Sequence, residues 1–240
     1  MESFKAKIVF VTGGASGIGA SIVEAFRAAG AKVCFCDIIE VCDKYSYQAD
    51  VRDAVALESI MCDIVERYGD IDIVINNVGV SRFTPLEEIS IEEFDDIMTI
   101  NLRSAFVTSR IFARNRNSVE GRAKYGRIIN ISSTRHLQSE KGSEAYAASK
   151  GALVSLTHAL AISFSEYQTT VNSISLGWID NGKFGTLSQV DHSQHPSGRV
   201  GSPSDVARMC LFIADPANDF LNGENLILDG GMTKRMIYEK

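Results

Sequence analysis

Tyr146 and Lys150 stand four residues apart in "AYAASKGAL", residues 145–153. Four residues make about one helical turn, so a phenol and an ammonium share one helix face. A free tyrosine, with a pKa of about 10, is a poor proton acceptor near neutrality. A cation one turn away favours the tyrosinate and lowers that pKa. Such a group could take the hydroxyl proton of an alcohol as a hydride leaves its carbon, or return a proton to a ketone. Ala147, Ala148 and Gly151 keep the surroundings small. A solvated helix surface would also carry these residue types, so the rest of the chain has to decide.

A second constellation opens the chain. "VTGGASGIGASI" places Gly13, Gly17 and Gly19 between an apolar run and a helical pattern. Glycines there permit a tight turn and a close backbone approach, and the helix N-terminus offers free N–H groups to a pyrophosphate. The spacing is Gly-x3-Gly-x-Gly, and no Lys-[Ser/Thr] follows, which argues against a nucleoside-triphosphate loop. Asp37 ends the next apolar run, eighteen residues after Gly19. A carboxylate there accepts both ribose hydroxyls and repels a 2′-phosphate, which favours NAD over NADP.

The elements that must position these groups alternate. The strands read as "KIVFVTG", "AKVCFCD", "YSYQADV", "DIVINNV", "GRIINIS", "TTVNSISL" and "NLILDGG". Most are continuous apolar runs, as in strands covered on both faces. Helical patterns separate them, including one unbroken stretch over 90–116, and "SIEE" at Ser90 predicts a capping box. Gly30 and Gly69 stand where helices should end. The pattern predicts an α/β fold: one doubly wound parallel sheet of about seven strands with helices on both faces, in a single domain over 1–240. Residues 178–200 are polar and loosely patterned, and read as a substrate loop or lid.

Composition narrows the partners. The 240 residues carry a net charge of −6 and no basic block, so nucleic acid and anionic membrane are poor partners. No apolar run has the length of a membrane helix, and a cytoplasmic protein is expected. The five cysteines show no metal-ligand spacing. Cys34 and Cys36 share a strand face and read as core residues. His192 and His195 form a pair in a polar loop, a setting in which solvated histidines outnumber metal ligands; no metal is expected. No Gly-x-Ser-x-Gly elbow is present, so a hydrolase lacks support.

Taken in order, these motifs resemble the short-chain dehydrogenase/reductase family, from "VTGGASGIG" to the "DGG" ending near residue 231. The resemblance implies a Rossmann-like fold and a set of roles. Gly13, Ser16, Gly17, Ile18 and Gly19 form the cofactor loop. "ADV" supplies Asp50 for the adenine amino group and Val51 for its ring. "NNVG" at 76–79 stabilises the central sheet, with Asn77 and Gly79 at the cofactor. Asn101 is the active-site asparagine whose backbone holds a water in a proton relay. "NISS" supplies the serine, Ser133, thirteen residues before Tyr146, which would steady the substrate oxygen. Ser132 is its neighbour and rival. Tyr146 is the acid/base; Lys150 tunes it and holds the nicotinamide ribose. Gly177 and Ile179 belong at the nicotinamide end.

Arg135 and His136, directly after Ser133, would face the pocket and could recognise a polar or anionic substrate, with a surface role as the alternative; Trp178 is expected near the pocket. The sequence departs from the family at Leu176, where proline is usual, at Val78, where NNAG is usual, and at Asn181, where threonine is frequent. The implied activity is NAD-dependent interconversion of a secondary alcohol and a ketone. The alternatives are a 3-oxoacyl thioester reductase, usually NADP-linked, and an NAD-binding protein without turnover. Similar proteins are homo-oligomers, tetramers or dimers, and the apolar "GALVSLTHALAISF" fits a helix buried on two sides.

Overall fold

The computed structural model describes residues 4–182 and 185–236. Seven strands form one parallel sheet in the order β3-β2-β1-β4-β5-β6-β7. In chain order they are β1 (Ile8–Thr12), β2 (Lys32–Asp37), β3 (Ser46–Gln48), β4 (Ile73–Asn76), β5 (Gly126–Ser133), β6 (Thr169–Leu176) and β7 (Asn225–Leu228). The expected doubly wound architecture is present.

Alternation along the strands builds two cores. Val9 and Val11 of β1 pack with Ile22 and Phe26 of α1 (Gly17–Ala28) and Val206 and Ile213 of α8 (Pro203–Ala214). Ile8 and Phe10 point the other way, with Leu57 and Met61 of α2 (Ala54–Tyr68), Phe112 of α4 (Ser104–Asn115) and Ala161 of α6 (Glu144–Ser163). Cys34 and Cys36 lie together in this second core, where burial pushes both thiols up to about 12.

Several element boundaries differ from the sequence expectation. β3 is only three residues long, because Asp50 accepts from the Arg52 N–H and Asp53 caps α2 by accepting from Val55 and Ala56. The long helix over 90–116 is three pieces: α3 (Ile91–Met98), a π turn (Thr99–Arg103) and α4. Ser90 caps α3 by accepting from the Glu93 N–H, but the box is not closed: the Glu93 carboxylate accepts from the Thr84 hydroxyl instead. Gly30 and Gly69 do follow their helices at φ 95° and 101°. The stretch 178–200 is partly ordered by an Ile179–Gly201 bridge and by α7 (Gln189–Ser193), a single turn with a Ser188/Asp191 capping box. The short helix α5 (Val119–Arg122) precedes β5. Among the described residues no helix is long and apolar enough to cross a membrane.

Strand order reverses between β1 and β4. Such a switch point opens a crevice at the carboxyl ends of the strands. Every candidate site residue lies at that edge or on a helix leaving it.

Candidate active site

The crevice holds two cavities. The first, a groove of about 460 Å³, is lined by Gly13, Ser16, Gly17, Ile18, Gly19, Asp37, Asp50, Val51, Asn77 and Gly79, all of them expected there. Gly13 and Gly17 take φ +72° and +55°, and a Cβ at Gly19 would sit 1.8 Å from the Gly13 carbonyl oxygen. The turn therefore admits no side chain at Gly19. No side chain caps the start of α1, which leaves its first N–H groups available to an anion. Asp37 accepts from the N–H groups of Ala15 and Ile39, so it braces the turn from the groove's far end. These residues fit a dinucleotide.

Three members of the groove do more, or other, than expected. Asn77 donates its amide to the carbonyls of Thr12 and Gly13 and holds the glycine turn in place. Gly79 makes room for the ammonium below it: a Cβ there would lie 3.0 Å from Lys150 Nζ. Asp50 lines the groove with its carboxylate already engaged. Arg52 clasps its carboxylate and holds it below the usual carboxylate range, while also pairing with Asp96, which Arg82 pairs with too. Arg52 and Arg82 line the groove, and sequence reasoning missed both; the nearby acidic Asp50 and Asp96 were the available signal.

The second cavity, a cleft of about 620 Å³, lies beyond β5. Ser133, Arg135, Tyr146 and Trp178 line it, as expected. Gly177 and Ile179, expected at the nicotinamide end, line this cleft beside Ser133 and Tyr146; Ile179 is drawn in by its bridge to Gly201, and a Cβ on Gly177 would meet the Asp229 Cβ at 2.6 Å. Asn181 lines the groove, and a Cβ on Gly17 would lie 3.5 Å from its Cβ.

His136 is turned away from the cleft. The 3-10 turn Thr134–His136 carries its ring behind β5, where Nδ1 lies 2.7 Å from the Ser133 carbonyl and Nε2 lies 3.3 Å from the Asn225 amide. The expected substrate contact at His136 is therefore corrected to a place in this half-buried network. His192 and His195 are also engaged: Val200 N–H donates to His192 Nδ1, and His195 is buried against Trp178 at 6.2 Å between ring centroids.

Tyr146 and Lys150 sit where β5 and α6 meet. The two serines part as the strand ends: Ser132 donates to the Lys150 carbonyl, while Ser133 faces the phenol. Lys150 is buried and donates to the Ile131 carbonyl at 2.8 Å, and burial lowers its pKa to about 8. Tyr146 differs from expectation. Burial raises its pKa above 10, and the Ser133 hydroxyl and the Arg135 charge pull against that rise. Lys150 lies 5.8 Å from the ring centroid with its ammonium on the Ile131 carbonyl, and burial outweighs the charges around the phenol. Asn101 sits on the π turn, buried, with its side chain clamping both backbone groups of Val80 and donating to Ser149. Such turns free backbone groups from the helical ladder, which explains why an asparagine there is not an ordinary helix residue.

Beneath the site a buried ladder joins the layers: Thr108 donates to Asn76, Asn76 to Asn130, and Asn130 to Thr157. It carries out the sheet-stabilising part expected of the "NNVG" segment.

Chemically, the arrangement offers a phenol and a hydroxyl side by side at the edge of a dinucleotide groove. Comparison with known proteins agrees. A family model described as enoyl-(acyl carrier protein) reductase matches residues 13–233. An NAD-dependent glycerol dehydrogenase of Listeria innocua is 34% identical over 95% of this chain and 94% of its own. A 3-oxoacyl-[acyl-carrier-protein] reductase of Escherichia coli is 31% identical over 96% and 98%. The solved structure of an apo SCOR enzyme from Clostridium thermocellum is 40% identical, covers 97% of this chain and 95% of that one, and superposes with a TM-score of 0.86.

Proposed function

Because the chain belongs to the short-chain dehydrogenase/reductase family of oxidoreductases, which bind a nicotinamide cofactor, we propose that it is a cytoplasmic NAD-dependent enzyme interconverting a secondary alcohol and a ketone. The observation that carries this reading is the meeting of Ser133 and Tyr146 in the cleft, with buried Lys150 close to Gly79 of the groove. The cofactor supplies one thing, a hydride acceptor or donor. The chain supplies the rest. Tyr146 takes the alcohol's hydroxyl proton as the carbon loses its hydride, and returns it in the reverse direction. Ser133 donates to the substrate oxygen and steadies its developing charge. Lys150, Gly79 and Asn101 form the floor: Lys150 holds its cation near the ribose end of the groove, and Asn101 fixes the loop above it.

Asp37 supports NAD, since a 2′-phosphate at the end of β2 would face its carboxylate. A second reading, an NADPH-linked 3-oxoacyl thioester reductase, draws on Arg52 and Arg82 at the groove rim and on the Escherichia coli relative. Both guanidiniums are already paired with Asp50 and Asp96, which weighs against a phosphate there.

Fluorescence titration of the purified protein with NADH and NADPH tests this reading. NADH is expected to bind at least tenfold tighter, and an NAD-linked screen of secondary alcohols then follows. An NADPH preference would install the thioester reductase in its place. Failure to bind either would remove the enzyme reading. The same proposal includes a homo-oligomer, a tetramer or dimer: Ile91 of α3, Phe106 of α4 and Ile162 of α6 are exposed apolar side chains on the helices expected to pair. A monomeric sedimentation profile at micromolar concentration would contradict it.

A further inference from the structure

Among the described residues that line the cleft, one side chain is a cation, Arg135. The 3-10 turn that leaves Ser133 delivers it, and Ser133 caps that turn by accepting from the Arg135 N–H. The guanidinium lies over the Phe83 ring at 5.5 Å, and Phe83 meets Tyr146 edge-on at 6.0 Å. Guanidinium, ring and phenol thus form one packed row whose far end is the proton-transfer group. Stacking of this kind orients a guanidinium without using its N–H donors.

One arm of the guanidinium, Nη2, is held by Glu140. That carboxylate is 63% exposed, whereas Arg135 is 25% exposed. An ion pair with so wet a partner is weak. A second carboxylate entering the cleft could take the fork in bidentate fashion and be partly desolvated there, where such a bond is stronger. Leu176, Trp178, Ile179 and Met232 give the lining an apolar part. The cleft therefore combines one cation, an apolar part and a reactive end.

We propose that Arg135 is the specificity-determining residue of the cleft, and that the substrate is a hydroxy acid or its oxo acid, whose carboxylate displaces Glu140 from Arg135 while its carbinol carbon lies at Ser133 and Tyr146. The inference rests on the dehydrogenase reading above. A carboxylate fits better than a phosphate monoester, because a dianion would meet a single cation with Glu140 beside it.

Trp178 is the chain's single tryptophan and lines the cleft, so its emission reports occupancy without turnover. The experiment titrates the protein with short 2- and 3-hydroxy acids, each against its own amide. At least one acid is expected to bind tenfold or more tighter than its amide. Arg135→Met should erase that difference, Arg135→Lys should keep part of it, and Glu140→Gln should tighten the acid severalfold by removing its competitor. Glu140 is exposed, so this last variant remains informative if Arg135→Met does not fold. The proposal is overturned if no acid outbinds its amide, if a phosphomonoester outbinds them all, if the preference survives Arg135→Met, or if Glu140→Gln weakens the acid. An acid that binds through Arg135 but is never oxidised with NAD breaks the dehydrogenase reading and leaves the cleft assignment standing. Amides oxidised as fast as acids break the cleft assignment alone.

Discussion

Backbone lines much of the groove at the end of β1, whereas side chains line the cleft beyond β5. In the groove, Gly13, Gly17 and Gly19 bring the main chain to the surface, and Asn77 locks it with two amide bonds to carbonyls. In the cleft, Arg135, Tyr146 and Trp178 do the lining, and their partners, Glu140 and Phe83, come from flanking loops. A surface made of backbone tolerates almost no substitution at its close contacts. A surface made of side chains can be re-cut residue by residue, and this is where family members with one chemistry can diverge in substrate.

Three perturbations sharpen that contrast. The largest effect belongs to Tyr146→Phe, which removes one oxygen from the cleft and nothing from the groove. Turnover should fall by about 10³-fold or more while NADH affinity stays within about twofold, as seen by stopped-flow rates beside a binding titration. Retained turnover would break the assignment of the phenol. Next comes Gly19→Ala. Its Cβ would lie 1.8 Å from the Gly13 carbonyl oxygen, so the turn must shift. NADH affinity should drop by about 10²-fold, the scale of an ångström-sized displacement in a preorganised site. The apo protein's Trp178 emission should hardly change. An unchanged dissociation constant would show that the groove is more compliant than its glycines imply.

The smallest effect concerns Lys150, buried between Gly79 of the groove and the Ile131 carbonyl of β5. Its pKa is about 8 in the folded chain against an ordinary 10.5. Between those values the unfolded chain holds a proton that the folded chain has lost, so this group makes stability rise with pH across that window. Below pH 8 the burial cost of the charge is present in full. From pH 7 to pH 9.5 the wild type should gain about 2 kcal/mol relative to Lys150→Met, measured as the difference between two urea unfolding series. A difference that stays flat with pH would place the Lys150 charge in contact with water.

The sequence made the groove almost fully legible, because a helix N-terminus and an uncluttered turn impose residue types at fixed spacing. Gly13, Gly17, Gly19 and Asp37 all lie where expected. So do both cores, since strand alternation sorts Val9 and Val11 from Ile8 and Phe10. What failed to show was whatever depends on a long-range partner. The phenol of Tyr146 is raised where lowering was expected, because burial outweighs the Ser133 hydroxyl and the Arg135 charge. His136 was assigned by adjacency to Ser133, but a 3-10 turn rotates consecutive side chains apart, and Asn225 and Ser175 await the ring behind the sheet. The ion pairs that Arg52 and Arg82 make with Asp96 went unseen for the same reason. Lys183 and Phe184, within the expected substrate loop, lie outside the described residues.

The π turn has a consequence for how this chain can change length. Each residue of a regular helix turns the next face by about 100°. The five residues Thr99–Arg103 hold one helix, α3, and another, α4, in a phase that presents Asn101 to Val80 while Phe112 points into the core. A five-residue π turn covers nearly the same rotation as four residues of ordinary helix, so removing one of them would restore the regular ladder, keep α4 close to its present phase and abolish the widened turn that carries Asn101. A residue lost from α4 itself would instead turn everything beyond it by about 100°. A deletion in the π turn thus falls on the site, and one in α4 falls on the fold.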